Sequence, residues 1–226
     1  MNKLIELYCR ELKLGTRIVE EYPSIQATTH EKFLEQLLAL EVQHRRIAKK
    51  NRLLKQAKFD VIKTFENYSF NDIELPKQLC LEDLQLTIFT ERKENLVLYG
   101  GVGTGKTHLA TAIGVEACNQ GKSVRFYRTA ALVNELIEAK NAGRLYKMMN
   151  QIEKIDFLIC DEWGYIPVSQ EGAQLLFQVI AGCYEKQSIV ITTNLEFSKW
   201  NSIFHHSYLL TFTGESYRLK HSYMNL

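Results

Sequence analysis

The segment Gly100-Gly101-Val102-Gly103-Thr104-Gly105-Lys106-Thr107 restricts what this 226-residue chain can fold into more than any other. It follows the apolar run Asn95-Leu96-Val97-Leu98-Tyr99 directly and opens into a helical stretch from His108 to Cys118. Strand, glycine loop and helix therefore come in the order that a phosphate-binding loop requires. Glycines let the backbone turn tightly with its N–H groups pointing inward, and the following helix turns the positive end of its dipole on the same anion. The residues from Gly100 to His108 are expected to bind nucleotide, with Lys106 reaching the β and γ phosphates of ATP and the Thr107 hydroxyl ligating Mg²⁺.

Fifty-five positions after Lys106, the apolar run Phe157-Leu158-Ile159-Cys160 ends in Asp161-Glu162. An acidic pair after a strand is also a common helix cap, so its weight comes from the glycine loop. Together they predict Asp161 as the carboxylate that holds Mg²⁺ and Glu162 as the general base that polarises the attacking water. The run Ile189-Val190-Ile191 ends in Thr192-Thr193-Asn194. Asn194 is expected to orient that water, or to cap a helix over Glu196 to Phe204.

Short apolar runs at 96–99, 124–127, 157–160, 189–193 and 208–212 alternate with helical stretches, which predicts an α/β fold with a five-stranded parallel sheet flanked by helices. Ahead of it the periodic apolar residues Leu4, Ile5, Leu7, Tyr8 and Leu12, and then Phe33, Leu37, Leu38, Leu40 and Val42, predict a small all-α N-terminal domain, helical to about Phe65. Thr28 or Thr29 is the expected cap of its second helix. Irregular sequence before Pro76 puts the expected boundary between residues 1–66 and 67–226. With 46% hydrophobic and 24% charged residues, a disordered or collagen-like chain is excluded.

The net charge of +2 decides nothing, but its distribution does. Residues 42 to 58 contain Arg45, Arg46, Lys49, Lys50, Arg52, Lys55 and Lys58 and no acidic residue. A charged helix face is ordinarily a solvated one. Such faces mix both signs to gain i to i+4 pairs, however, whereas a one-sign stripe fits phosphate neutralisation. Arg45, Arg46, Lys49, Lys50, Arg52 and Lys55 are therefore the expected DNA contacts. Five scattered cysteines without metal-ligand spacing read as reduced, buried thiols. The charged N-terminal residues and the lack of a spanning apolar run lead to the expectation of a cytoplasmic protein with no membrane partner.

The stretches RKENLVLYGGVGTGKTHLA, DEWGYIPVSQEGAQLLFQVI, ITTNLEFSKW and LTFTGESYRLK closely resemble the transposition helper ATPases of IS21-family insertion sequences. These belong to the AAA+ P-loop ATPases, in the clade of helicase loaders and replication initiators. The resemblance covers nearly the whole chain. It implies assembly as a homo-oligomer on duplex target DNA, recruitment of a cognate transposase, and ATP hydrolysis as the switch. It also implies that Arg218, in Gly214-Glu215-Ser216-Tyr217-Arg218, contacts nucleotide from the same subunit.

One departure matters. Members of that family carry an additional helical stretch with an Asp-Arg pair between segments that here are fused, Trp200-Asn201-Ser202-Ile203-Phe204 and His205-His206-Ser207, and no arginine occurs between Arg144 and Arg218. An arginine inserted into a neighbouring subunit's site contributes roughly a thousandfold or more in related NTPases. ATP binding with impaired hydrolysis is therefore expected, in the extreme a non-catalytic remnant. The alternative partner set is that of a helicase loader, which binds single strands. A small-molecule kinase shares the glycine loop but gives no reason for Glu162 or Asn194. Adjacent His205 and His206 point in different directions on either regular element, which argues against a metal pair.

Overall fold

The structure, a computed structural model, describes residues 3–66, 68–164, 169–195 and 207–216. The chain divides into two compact units, Met1–Arg52 and Leu53–Leu226. In the first, α1 (Lys3–Glu11), α2 (Thr16–Glu21) and most of the long α3 (His30–Ala57) are joined through a 3₁₀ turn at Tyr22–Ser24, where Pro23 stands. Thr29 starts α3, its hydroxyl accepting the Lys32 N–H at 3.2 Å. Cys9, Ile18 and Val19 form a small core that Leu37 helps to cover. A buried carboxylate ties the helices together. Glu41 accepts the Gly15 N–H at 3.0 Å and Arg45 Nε at 2.6 Å, while Arg45 Nη2 donates to the Lys13 carbonyl at 2.6 Å.

The helix ends earlier than the sequence suggests. Lys58 adopts a left-handed conformation at φ 57°, which stops α3 at Ala57 and leaves 58–66 non-helical. The turn delivers Phe59 against Phe126, with ring centroids 6.0 Å apart.

The second unit is built on a six-stranded sheet of order β1-β6-β2-β5-β4-β3. Its strands are β1 (Ile73–Glu74), β2 (Asn95–Gly100), β3 (Val124–Arg128), β4 (Phe157–Trp163), β5 (Ser188–Thr193) and β6 (Ser207–Phe212). The five expected strands are present and parallel. The sixth, β1, is a two-residue antiparallel edge within the stretch that reads as irregular. Helices α4 (Leu81–Gln85), α5 (Lys106–Asn119), α6 (Thr129–Asn141), α7 (Leu145–Ile152) and α8 (Gln170–Cys183) complete the unit.

Alternation along the strands divides the core between the two sheet faces. Leu96, Leu98, Phe126, Phe157, Ile159 and Val190 pack with Leu109, Ile113 and Ala117 of α5. Leu158, Cys160, Ile189 and Ile191 pack with Leu132 and Leu136 of α6 and with Leu175 and Val179 of α8. Four of the five cysteines are buried, but Cys80 is exposed because it stands at the start of α4, contrary to its expected burial. Burial pushes the thiols of Cys118 and Cys183 up to about 12. No helix among the described residues is long and apolar enough to cross a membrane.

Candidate nucleotide site

The glycine loop leaves the C-terminal end of β2 and closes at the N-terminus of α5. Two of its glycines are required by geometry. At Gly100 a Cβ would lie 2.6 Å from the Phe212 carbonyl oxygen, so the backbones of β2 and β6 could not meet there with a side chain between them. Gly105 has φ 98°, a conformation that lets the next residue begin the helix and is open chiefly to glycine. Its carbonyl accepts a hydrogen bond from the Tyr68 hydroxyl at 3.3 Å, and burial raises the pKa of that hydroxyl.

Lys106 folds back along the loop, Nζ donating to the carbonyls of Gly100, at 2.8 Å, and Gly101. Its ammonium thus lies with the loop's own backbone groups. The Thr107 hydroxyl points to β4, two strands away from β2, and donates to Asp161 Oδ1 at 2.9 Å. The His108 imidazole turns the other way, Nε2 donating to the Thr64 carbonyl at 2.9 Å with the ring against Tyr68. His108 is therefore placed to contribute its backbone to the loop rather than its side chain.

Asp161 and Glu162 differ sharply in environment although adjacent. Asp161 is 2% exposed, whereas the Glu162 side chain is 51% exposed. A break in strand register separates them: Cys160 pairs with Ile191 and Trp163 with Thr193, so two residues of β4 face Thr192 alone. This is a bulge, a device that re-aims side chains beside functional sites. Glu162 takes the extra position with φ 58°, a left-handed conformation that costs a non-glycine residue about 1–2 kcal/mol. Thr192 holds the bulge from β5, its hydroxyl donating to Asp161 Oδ1 while accepting the Glu162 N–H at 2.9 Å. From the first turn of α6, the Thr129 hydroxyl donates to the Asp161 carbonyl at 2.8 Å.

The Thr107 hydroxyl and Asp161 carboxylate are two hard oxygen donors on adjacent elements. That set suits Mg²⁺, which takes one or two protein oxygens and fills its octahedron with phosphate and water. Among the described residues no group of three or more His, Cys, Asp or Glu stands together as a metal site.

The structure thus gathers the loop, Lys106, Thr107, Asp161 and Glu162 at the C-terminal edge of the central strands. Asn194 follows the end of β5 and is exposed, and the expected helix over residues 196–204 lies outside the described residues. Arg218, His205 and His206 also lie outside them. Arg45 is engaged with Glu41 and Lys13, whereas Arg46, Lys49, Lys50, Arg52 and Lys55 are exposed and take part in none of the ion pairs among described residues. Sequence reasoning missed Thr192. The Thr192-Thr193-Asn194 cluster marked the place, but only the register shift decides which hydroxyl faces Asp161.

A mainly parallel sheet with a phosphate loop after one strand and an Asp-Glu pair at the end of a nearby one defines a P-loop nucleotide-binding protein. Comparisons with known proteins narrow this. A profile of the family described as "IstB-like ATP binding protein" matches residues 21–225, and the chain belongs to that family. It is 33% identical to the insertion sequence IS5376 putative ATP-binding protein of Geobacillus stearothermophilus, over 97% of this chain and 95% of that protein. It is 38% identical to the insertion sequence IS21 putative ATP-binding protein of Pseudomonas aeruginosa, over 74% of this chain and 68% of that one. The first alignment runs over 239 positions against the 226 residues present, so that relative carries residues without counterparts in this chain. Among solved structures the fold is similar to the replication initiator DnaA bound to AMPPCP and single-stranded DNA, with TM-score 0.51 and 22% identity. That match covers 61% of this chain and 43% of the initiator.

Proposed function

We propose that the chain is an ATP-dependent, DNA-binding transposition helper that hydrolyses ATP at the glycine loop. In this reading the loop amides and Lys106 grip the phosphates. Thr107 and Asp161 hold Mg²⁺, which supplies charge neutralisation at the phosphate oxygens when bound. Glu162 takes the proton of the attacking water, which Asn194 orients, and Arg218 contacts the nucleotide. The observation that carries the reading is the Thr107–Asp161–Thr192–Glu162 cluster, which buries the carboxylate suited to the metal and presents to solvent the one suited to water.

The exposed basic residues Arg46, Lys49, Lys50, Arg52 and Lys55 provide a phosphate-neutralising stripe for duplex target DNA, on which the protein assembles as a homo-oligomer and recruits a cognate transposase. Hydrolysis acts as the switch. With no arginine between Arg144 and Arg218, turnover is slow, because the guanidinium that a neighbouring subunit supplies in related enzymes has no counterpart in that stretch.

ATP turnover by the purified chain, measured alone, with duplex DNA and with single strands, tests the proposal. Slow turnover raised by duplex DNA and abolished in Glu162→Gln is expected. Preference for single strands would favour a helicase loader instead, and absence of turnover with retained ATP binding would mark a non-catalytic remnant.

A further inference from the structure

We infer that the outer face of α3 is a docking surface for a second copy of this chain, which packs against it antiparallel. Within the helical unit α3 turns Leu37 toward the small core and Glu41 toward the Gly15 N–H. Leu34, Leu38 and Val42, also spaced by four, come out on another face and are 53, 49 and 48% exposed. Scattered single leucines on a surface need no explanation, but three in one row form a seam along which two helices pack. The row continues at helical steps of three and four to Glu35 and Glu31 on one side, and to Arg46 and Lys49 on the other. These four charged residues are exposed and take part in none of the ion pairs among described residues.

Leu40 is the midpoint between Leu38 and Val42. Glu31 and Lys49 stand nine residues to either side of it, about 13.5 Å along the axis at 1.5 Å per residue. A two-fold axis at that midpoint brings Leu38 of each copy to Val42 of the other, Glu31 opposite Lys49, and Glu35 beside Arg46. Every contact then occurs twice, as an isologous dimer requires. Parallel pairing would instead set Glu31 against Glu31 and Lys49 against Lys49. Exposed ion pairs add little adhesion, so the apolar row holds the copies together and the charges choose the direction. Arg46 and Lys49 are thereby shared between the second copy and the proposed DNA contacts. Arg52 and Lys55 run past the partner helix, which begins at His30, and stay open to phosphate.

The pairing needs neither nucleotide nor DNA, so it stands or falls apart from the hydrolytic reading. Sedimentation velocity of the full chain without ligands, over a range of concentrations, measures it, with folding checked by circular dichroism. A monomer–dimer equilibrium is expected, and its loss in Leu38→Glu, a substitution at an exposed position that leaves the helical unit folded. Glu31→Lys with Glu35→Lys makes one charge-reversed variant, and Arg46→Glu with Lys49→Glu makes another. Each alone is expected to self-associate at least about tenfold more weakly, because its opposite-charge contacts become like-charge ones, and an equimolar mixture to regain the lost affinity. In parallel pairing each variant would associate as the unmodified chain does. An unmodified chain that stays monomeric at every concentration, a Leu38→Glu variant that dimerises equally, or a mixture that associates no better than either variant alone would overturn the inference.

Discussion

Thr192 joins the two acidic residues of the site through one hydroxyl, donating to the Asp161 carboxylate and accepting the Glu162 N–H at 2.9 Å. Thr192 and Asp161 are each 2% exposed, so that carboxylate has no water as a substitute for the hydroxyl. Replacing it with valine keeps the shape and removes both bonds. Thr192→Val is expected to lose about 1–3 kcal/mol of stability in urea unfolding and to slow hydrolysis, while Thr192→Ser retains both. Unchanged stability in the valine variant would show that the bulge stands without this hydroxyl.

The left-handed backbone of Glu162 separates stability from activity. Glycine relieves the strain that alanine keeps, so Glu162→Gly is expected to be more stable than Glu162→Ala by about 1 kcal/mol, although it adds chain freedom in the unfolded state. Both are expected to lack hydrolysis. Thermal unfolding of the two variants side by side checks the order, and an alanine variant at least as stable as glycine would mean that the bulge carries no strain.

Much of this was legible beforehand because the signals are local. A glycine loop between an apolar run and a helix fixes its own geometry, and each apolar run from Leu96 to Phe212 became a strand. The bulge was not legible, since it depends on how β4 registers against β5, and no period-2 pattern reveals an extra residue. Arg45 shows a related limit. It reads as one more cation of a basic stripe, yet Glu41, eleven residues before Arg52, claims it for the helical unit. The pairing of Arg128 with Asp60 joins residues 68 positions apart, which nothing in the sequence links.

Acid should act on the helical unit through Glu41. Burial pushes its carboxyl up, but hydrogen bonds from Arg45 and the Gly15 N–H outweigh this and hold it below its ordinary 4.5. A depressed folded-state pKa gives stability that is present above the unfolded value and is lost as pH falls through the folded one. The helical signal should therefore weaken with acid below about 4.5, and Glu41→Gln should be less stable at neutral pH and less sensitive to acid. Circular dichroism of both forms from neutral pH to pH 3 measures it, and parallel curves would deny Glu41 that role.

ATP hydrolysis by this chain requires the glycine loop to grip a triphosphate. Titration of a fluorescent ATP analogue against the unmodified chain and Lys106→Ala, with folding checked by circular dichroism, tests this most directly. Saturable binding that weakens at least about tenfold in the variant, equivalent to about 1.4 kcal/mol, is the expected result. Equal affinity in the two proteins would contradict the account.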